Sequence, residues 1–351
     1  MTTRVAVVLF NLGGPDRPEA IEPFLFNLFN DPAIIGLPTP LRWPLARLLA
    51  RRRAKVAREI YAHLGGRSPL LKLTTAQGEA LEKSLRGRGL EARVFICMRY
   101  WHPMSDAAAA AVGAFRPDEV VLLPLYPQFS TTTTLSSMRD WRRAAARHGL
   151  DRQDRPVCCY PTEPGWIAAQ VRLVGAALDQ AAALGPPRVL FSAHGLPKRV
   201  IARGDPYQWQ VEQTVKAVVD SLQSARGNED LDHSICYQSR VGPLEWIGPD
   251  TEAEIRRAGQ DGRAVVMVPV AFVSEHSETL VELDIEYGKV AKEAGALGYV
   301  RVPTVATAPE FIDGLAALTQ DALRREPAIG PADGMRICPT SCGNCPCPDR
   351  R

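Results

Sequence analysis

The sequence lacks an apolar run long enough to cross a bilayer. Its longest apolar runs, Val120–Leu125 and Ala264–Val273, are far shorter than the roughly 20 residues of a transmembrane helix. The chain also enters an apolar segment by Val5 without the pattern of a secretory signal. We therefore expect a cytoplasmic protein.

A large excess of charge of one sign is also missing. Lys and Arg together number 42 and Asp and Glu 39, so no basic field indicates a nucleic-acid partner. Hydrophobic residues make up 46% of the chain and charged residues 23%, which excludes a disordered or fibrous protein. A length of 351 residues suits two compact units or one large α/β domain.

Cysteine, in contrast, is concentrated in one place. Four of the eight cysteines, Cys338, Cys342, Cys345 and Cys347, lie within ten residues near the carboxyl end. Disulfides are rare in the reducing cytoplasm, so this density predicts a bound metal or cluster. Four thiols suffice for a structural zinc site, although zinc sites usually use two separated pairs, and iron–sulfur clusters also take four thiolates.

Short apolar runs alternate with longer helical stretches along the chain. The predicted strands are Val5–Asn11, Arg93–Met98, Glu119–Leu125, Arg188–Ser192, His233–Tyr237, Ala264–Phe272 and Tyr299–Val302. The predicted helices are Ala107–Phe115, Trp166–Ala183, Tyr207–Ala225 and Pro309–Arg325. Nearly continuous apolar strands are typical of parallel sheets that helices cover on both faces. The alternation therefore predicts a doubly wound α/β fold.

Three sequence motifs recur in the same order in the two halves of the chain. The pairs are Val7–Pro15 with Val189–Pro197, Phe95–Pro103 with Ser234–Pro243, and Val120–Thr131 with Val265–Glu275. In each motif an apolar strand breaks into a polar segment that carries Pro or Gly, as many strand-to-loop junctions do. Three matches in one order favour two related halves, with polar groups at the carboxyl ends of parallel strands, where open α/β sheets bind ligands.

His194 follows one of these strands directly, in the segment FSAHGLP. An imidazole titrates near neutral pH and ligates metals, so this position suits a proton acceptor or a metal ligand. A turn histidine that hydrogen-bonds the backbone is the alternative.

A second polar segment, VSEHSETLVELDIEY, has the spacing of a helix. If this helix begins near Ser277, then Leu280, Leu283 and Tyr287 form its buried stripe. The opposite face would then carry carboxylates at spacings of four residues.

Those carboxylates belong to Glu278, Glu282 and Glu286. Such a face is either a solvated surface or a track that attracts a divalent cation and leads it toward His276 and Glu278. Carboxylate oxygens and imidazole suit Fe²⁺, although a transient site must not bind it too tightly.

Together these motifs resemble the ferrochelatases, the terminal metal-inserting enzymes of haem synthesis. The resemblance runs from about Val5 to Leu323 and rests on FSAHGLP, SEHSETLVELDIEY, CYQSRVGPLEWIGP, FLFNLFNDP and NLGGP. It implies an α/β chelatase fold of two similar Rossmann-like halves, with parallel sheets and a porphyrin cleft between them. It also implies insertion of Fe²⁺ into a porphyrin, with release of two protons. We expect protoporphyrin IX as this porphyrin, with coproporphyrin as the alternative.

The resemblance also implies roles for individual residues. His194 is the proton acceptor or a metal ligand, Glu278 pairs with it, and His276, Glu282 and Glu286 extend the metal-binding side. The implied porphyrin-binding residues are Asn11, Leu12, Tyr61, Ser68, Arg99, Tyr100, Tyr126, Gln238, Ser239 and Trp246. Arg99 and Arg240 could pair with propionates, and Tyr100 and Trp246 could pack on the macrocycle.

Many members of this family carry a [2Fe–2S] cluster held by three carboxyl-terminal cysteines and one from mid-chain. Thr131 stands where animal members place the mid-chain cysteine, whereas Cys158 and Cys159 stand nearer the next strand, as in cluster-bearing bacterial members. The ligand set that we predict is Cys158, Cys338, Cys345 and Cys347, with Cys159 as the alternative to Cys158 and Cys342 as the spare. Cys97 and Cys236, inside apolar strands, are expected to be inert core residues.

The stretch Phe24–Arg58 has an apolar part followed by a basic part. The apolar residues are Leu41, Trp43, Leu45, Leu48 and Leu49, and the basic residues are Arg51, Arg52, Arg53, Lys55 and Arg58. This order suits attachment to an anionic membrane surface. In the family this region forms a lip at the mouth of the active site. An amphipathic helix packed on its own domain is the alternative.

The predicted organisation has three parts. Residues 1–160 form the first half with its membrane-facing lip at about 24–58, residues 161–308 form the second half, and residues 309–351 form a helix and the cysteine tail. We expect porphyrin and Fe²⁺ as substrates, a peripheral contact with the inner face of the cell membrane, and a monomer or homodimer. The competing functions are a non-catalytic iron–sulfur or haem-binding protein and a cobalt chelatase for a sirohydrochlorin-type ring.

Overall fold

The computed structural model describes residues 3–150, 154–240, 244–326, 328–331 and 334–348. Residues 241–243 of the repeated motif Ser234–Pro243 lie outside these ranges. The chain separates into two compact units. The first comprises Met1–Cys159, Leu315–Arg336 and Pro346–Arg351, and the second comprises Tyr160–Gly314 and Ile337–Cys345.

The first unit contains a parallel sheet of four strands. They are β1 (Arg4–Asn11), β2 (Glu91–Met98), β3 (Glu119–Pro124) and β4 (Arg155–Pro156), in the order β2-β1-β3-β4. The helical segments are a 3₁₀ turn (Pro18–Ala20), α1 (Ile21–Phe29), α2 (Thr39–Ala62), α3 (Leu70–Gly87), α4 (Ser105–Phe115) and α5 (Thr134–Arg147). Phe10 of β1 packs edge-on against Trp141 of α5, whereas Leu9 faces Gly78 of α3. Helices therefore cover both faces, which explains why this strand is continuously apolar.

The second unit repeats this arrangement. Its strands are β5 (Pro187–His194), β6 (His233–Gln238), β7 (Ala264–Pro269) and β8 (Gly298–Arg301), in the order β6-β5-β7-β8. Its helices are α6 (Pro164–Ala182), α7 (Lys198–Ala202), α8 (Tyr207–Ala225), α9 (Thr251–Gln260), a π-helix (Glu278–Glu286) and α10 (Tyr287–Glu293). In α11 (Pro309–Arg324), residues up to Gly314 belong to this unit and the rest to the first.

The two sheets confirm the prediction of two similar halves. Their four strands follow the same order, and every pairing is parallel. The three repeated motifs fall on equivalent strands: β1 and β5, β2 and β6, and β3 and β7. The predicted α/β class of parallel sheets is therefore correct.

Two predicted elements differ from the structure. The strand predicted to extend to Phe272 ends at Pro269, because proline has no N–H for the ladder and the chain turns there. The helix expected near Ser277 is a π-helix from Glu278, which changes which side chains are buried. Thr279, Leu283 and Tyr287 are buried, whereas Leu280 is only half-buried, so the predicted buried stripe is wrong at Leu280.

A short pairing beside β4 was not predicted. Val157 pairs in parallel with Gly330, and the Cys158 N–H donates to the Gly330 carbonyl at 3.0 Å. The Arg325 guanidinium donates to the carbonyls of Pro156 at 2.8 Å and Gly330 at 3.1 Å. The start of the cysteine tail thus lies at the edge of the first sheet.

Within the described ranges, no helix combines the length and the apolar character needed to cross a membrane.

Candidate active site

His194 and Glu278 form a direct contact in the second unit. His194 is the last residue of β5, and Glu278 is the first residue of the π-helix. The imidazole Nδ1 lies 2.9 Å from Glu278 Oε2, and the His194 side chain is 40% exposed. The sequence predicted both residues, and the structure brings them together at the carboxyl end of a parallel strand.

Glu282 lies one turn further along the π-helix and is held by four donors. Gln238 Nε2 donates at 3.1 Å, the Ser239 N–H at 2.9 Å, the Ser239 hydroxyl at 2.6 Å and the Tyr287 hydroxyl at 3.0 Å. The Ser239 hydroxyl also lies 3.2 Å from Glu278 Oε2, so it stands between the two carboxylates. Ser239 adopts a φ of +60°, a left-handed conformation that is uncommon for residues with a side chain.

The contacts separate the pKa values of these three groups. Burial alone would lower the pKa of His194, but the Glu278 carboxylate more than offsets it and raises that pKa. Burial alone would raise the pKa of Glu278, but His194 lowers it to about 2. Burial and the neighbouring Glu278 charge raise the pKa of Glu282. One carboxylate is therefore held ionised and the other is easier to protonate.

His276 and Glu286 stand at the two ends of this segment. The His276 ring contacts Phe272 at a centroid separation of 4.6 Å, and its Nδ1 lies 3.1 Å from the Ser274 carbonyl. Glu286 is exposed at the last position of the π-helix. Among the described residues, no group of three or more His, Cys, Asp or Glu side chains is arranged to hold a metal ion.

Arg99 and Tyr100 of the first unit converge on a buried carboxylate. Asp31 accepts from Arg99 Nη2 at 2.8 Å, from the Tyr100 hydroxyl at 2.8 Å and from the Ser136 hydroxyl. Tyr100 is completely buried, so its ring has no exposed face for a macrocycle in this structure. Arg99 is also bonded to Ser136 through Nε at 2.8 Å.

Asp31 was not predicted as a functional residue, although it lies in the motif FLFNLFNDP. Its signal in the sequence was a single acidic residue shortly after the mainly apolar segment Phe24–Phe29.

The other predicted porphyrin-binding residues of the first unit lie near the carboxyl end of β1 or in the segments that face it. Asn11 donates to Thr74 Oγ1 at 2.9 Å and accepts from the Leu12 N–H at 2.8 Å. Tyr61 is buried at the end of α2. Ser68 Oγ accepts from the Leu70 N–H at 3.2 Å. Tyr126 is half-buried just beyond β3.

In the second unit, Gln238 is buried and Trp246 is half-buried. Trp246 pairs with Pro197 of the HGLP segment in an isolated antiparallel bridge, which places it beside the loop that follows His194. Arg240, predicted to pair with a propionate, lies 3.2 Å from Asp250.

The cysteines fall into three groups in the structure. Cys158 Sγ lies 3.3 Å from Cys347 Sγ and 3.1 Å from Cys159 Sγ within the first unit. The second unit contains Cys338, Cys342 and Cys345, of which Cys338 accepts a hydrogen bond from Gln210 Nε2 at 3.1 Å. None of the eight is in a disulfide.

Cys97 and Cys236 form the third group, inside β2 and β6. Burial raises the pKa of both thiols to about 12, which keeps them protonated. This environment agrees with the expectation of inert core residues.

Comparison with known proteins identifies the family. The ferrochelatase family profile matches residues 4–323. The chain is 53% identical over 350 residues to a ferrochelatase of Caulobacter vibrioides, an alignment that covers 99% of this chain and 98% of the relative. The chain belongs to the ferrochelatase family. A second ferrochelatase, from Phenylobacterium zucineum, is 52% identical over 346 residues, which cover 98% of each chain.

Solved structures show that this ferrochelatase-family chain has the chelatase fold. SirB from Bacillus subtilis with Fe³⁺ superposes with a TM-score of 0.50 at 12% identity, covering 92% of this chain and 96% of that chain. The sirohydrochlorin chelatase SirB in complex with cobalt, from Bacillus subtilis subspecies spizizenii, superposes with the same score at 11% identity. At these identities the likeness concerns the fold alone.

Proposed function

We propose that the chain inserts Fe²⁺ into a porphyrin, protoporphyrin IX, to give haem at the last step of haem synthesis. The observation that carries this proposal is the contact between His194 Nδ1 and Glu278 Oε2 at the end of β5. Membership of the ferrochelatase family supports the same reaction. Two protons must leave the porphyrin nitrogens for each metal that enters, so the site needs groups that accept protons.

His194 is the first proton acceptor in this proposal. When its Nδ1–H donates to Glu278, the lone pair is on Nε2, which can take a proton from a pyrrole nitrogen. The ionised Glu278 then stabilises the imidazolium that forms. A carboxylate beside the ring fixes its tautomer and orientation in the same way as in a catalytic triad.

Glu282 is suited to the second proton. Its pKa is raised, and the Ser239 hydroxyl lies between it and Glu278. Two neighbouring carboxylates whose pKa values are pushed apart can divide the roles of counter-ion and proton acceptor. Metal insertion also requires a buckled ring, and contacts remote from the nitrogens can supply that distortion.

In this proposal three carboxylates and two imidazoles meet the entering Fe²⁺. In this proposal Glu286 and Glu282 attract the hydrated ion, and His276, Glu278 and His194 receive it. Glu286 is exposed and Glu278 is half-buried, so the dielectric falls and the attraction strengthens inward. Oxygen and nitrogen ligands suit Fe²⁺, and a loose arrangement lets the ion leave for the porphyrin.

The porphyrin-binding set stays as predicted from the family. It comprises Asn11, Leu12, Tyr61, Ser68, Arg99, Tyr100, Tyr126, Gln238, Ser239 and Trp246. Several of these side chains have partners within the protein. Arg99 and Tyr100 bond Asp31, Asn11 bonds Thr74, and Gln238 and Ser239 bond Glu282. For Arg99 we propose that it presents charge toward a propionate while Asp31 fixes its position.

A [2Fe–2S] cluster held by Cys158, Cys338, Cys345 and Cys347 is also part of the proposal. Ligands at ~2.3 Å from one tetrahedral metal lie roughly 3.8 Å apart, and the Cys158 and Cys347 sulfurs are already at 3.3 Å. The Gln210 amide donates to Cys338, and such donors stabilise thiolates. The Cys158 and Cys347 sulfurs are therefore close enough to bind one metal, and Cys338 and Cys345 complete the proposed set on the family resemblance alone. Bound there, the cluster would supply redox-active iron.

For the location of the protein we propose a cytoplasmic enzyme with a peripheral membrane contact through α2. Leu41 is 61% exposed and Trp43 is 46% exposed, and the basic residues from Arg51 to Arg58 follow on the same helix. Exposed apolar side chains next to cations suit an anionic bilayer surface. A monomer or homodimer remains our prediction for the assembly.

The proposed reaction is tested by incubating the purified protein anaerobically with Fe²⁺, or with Zn²⁺, and a porphyrin. Protoporphyrin IX and coproporphyrin are supplied separately, and the metalloporphyrin spectrum is followed. Catalysed formation of metal protoporphyrin, faster than with coproporphyrin, is the expected result. Faster turnover of coproporphyrin would overturn the choice of substrate, and no acceleration with either ring would overturn the reaction.

A further inference from the structure

The π-helix that carries Glu278 and Glu282 needs support from outside itself. π-Helices are rare, usually occur as single turns, and are frequent at functional sites. This one runs for nine residues, from Glu278 to Glu286. A conformation that the backbone does not favour persists only where neighbouring elements fix it.

Arg301 at the end of β8 supplies ionic support. Its guanidinium donates two parallel hydrogen bonds to Asp284 of the π-helix, from Nε to Oδ1 at 2.6 Å and from Nη2 to Oδ2 at 2.9 Å. Nη1 donates to Glu275 Oε1, just ahead of the π-helix, at 2.6 Å. One arginine therefore joins the segment before the π-helix to Asp284, the seventh of its nine residues, with the bidentate geometry of a guanidinium.

The ion pairs of Arg301 are largely shielded from water, which strengthens them. The Arg301 side chain is only 13% exposed and that of Glu275 only 18%. Removing one partner of a buried ion pair is strongly destabilising, because the remaining charge stays buried without a counter-charge.

Tyr299 contributes a second contact from the same strand. Its hydroxyl donates to the Leu283 carbonyl of the π-helix at 2.5 Å. Residues two apart on a strand point to the same face, so Tyr299 and Arg301 reach the π-helix side by side. Their targets, Leu283 and Asp284, directly follow Glu282.

We propose that Arg301 and Tyr299 form a clamp that holds the π-helix in register and thereby positions Glu278 and Glu282 against His194. Both are positioning residues, since neither contacts His194 or the two glutamates directly. The catalytic consequence of the clamp rests on the proposed function, whereas its effect on the π-helix does not.

The chain offers a matched control in Arg188 of β5. Its side chain is 11% exposed, and it also pairs with two carboxylates, Asp232 at 2.9 Å and Asp261 at 2.7 Å. These pairs lie at the start of β5, the opposite end from His194. Arg188→Met therefore removes a comparable ionic cluster from the same sheet without touching the π-helix.

The test compares wild type, Arg301→Met, Arg301→Lys, Tyr299→Phe, Asp284→Asn and Arg188→Met. Hydrogen exchange of peptides covering residues 275–287 reports on the π-helix, and steady-state insertion reports kcat and the KM for metal. We expect Arg301→Met and Asp284→Asn to raise exchange in this segment at least tenfold and to lower kcat by about 10²-fold, as small misplacements of reacting groups do. Arg301→Lys should recover only part of kcat, and Tyr299→Phe should show a smaller effect.

The control separates positioning from general destabilisation. Arg188→Met should lower the melting temperature as much as Arg301→Met, yet leave exchange at residues 275–287 and kcat near wild type. Equal losses of kcat in both variants, or unchanged exchange at 275–287 in Asp284→Asn, would overturn the clamp. Wild-type protein that inserts no metal, with the exchange results as expected, would overturn the proposed function and support the clamp.

Discussion

At the residue scale, the site depends on how His194 and Glu278 change each other. Neither residue is unusual in the sequence, and a lone histidine such as His194 is more often a turn histidine that hydrogen-bonds the backbone. The contact of 2.9 Å makes Glu278 a poor proton acceptor and His194 a better one. The sequence did not predict that Ser239 contacts both glutamates. Its hydroxyl lies between Glu278 and Glu282 where the backbone of Ser239 is in the left-handed conformation, which the sequence does not indicate.

The three carboxylates of the π-helix should not be equivalent. Glu278→Gln removes the counter-ion of His194, and we expect turnover to fall by ~10²-fold or more. Glu286→Gln lies at the exposed end of the π-helix and should chiefly raise the Fe²⁺ concentration needed for half-maximal rate. Initial rates over a range of Fe²⁺ measure both effects. Equal losses of turnover with no change in metal dependence would rule out an ordered track.

The coupling of His194 to Glu278 also predicts a pH dependence. The raised pKa keeps the imidazole protonated above 6.5, the ordinary value, so kcat/KM should increase with pH through a value higher than 6.5. The stabilisation from this ion pair is complete below the unfolded pKa and is lost as the pH rises through the folded pKa. Glu278→Gln should move the NMR titration of the His194 ring to lower pH. A titration that does not move would contradict the coupling.

At the element scale, the sequence predicted the sheets better than the helices that surround them. β1, β5 and α8 were found within a few residues because continuous apolar strands and a strong 3.6-residue period leave little choice. β4 was missed because two residues carry no periodicity, and its position depends on pairing beyond it with Gly330. The sequence predicted an α-helix where the structure has the π-helix. The difference arises because contacts from Tyr299 and Arg301 of β8, rather than the helix propensity of the segment, hold this conformation.

We predict that the exposed apolar side chains of α2 are needed for binding to a membrane surface. Leu41→Ser with Trp43→Ser removes two exposed apolar side chains, so binding to anionic vesicles should weaken at least tenfold. The melting temperature should fall only modestly, through the lost contact of Trp43 with Phe26. Sedimentation with vesicles of phosphatidylglycerol and phosphatidylcholine measures the binding. Leu184→Ser, at a leucine that is 50% exposed in the second unit, is the control. If the control weakens binding equally, or the double variant binds as well as wild type, the contact does not involve α2.

At the scale of the whole molecule, the two similar halves carry different polar residues at the ends of their equivalent strands. Both sheets use one strand order, yet β5 ends in a histidine beside a carboxylate, whereas β1 ends in Asn11, bonded to Thr74. The repeated motifs were therefore enough to predict the architecture. They were not enough to predict the buried Asp31 network, because its members come from three separate segments of the chain.

The cysteine tail should make the purified protein coloured. Four thiolates that share a [2Fe–2S] cluster give a reddish-brown protein with roughly two irons and two sulfides per chain. Cys347→Ser and Cys345→Ser should each bleach the protein and lower its melting temperature, because a ligand set that joins Cys158 to the tail closes a long loop. Cys97→Ser should keep the colour. If the wild-type protein were colourless and contained one zinc per chain, the cluster assignment would be wrong and the cysteines would form a zinc site.

The rate of metal insertion by His194→Ala tests the central claim most directly. The variant should fold, with a melting temperature close to wild type, since His194 is partly exposed and its main partner is Glu278. Its initial rate with Fe²⁺ and protoporphyrin IX should fall ~10²- to 10⁴-fold, the usual contribution of one proton-transfer group. A folded His194→Ala protein that retains more than about a tenth of the wild-type rate would contradict the account.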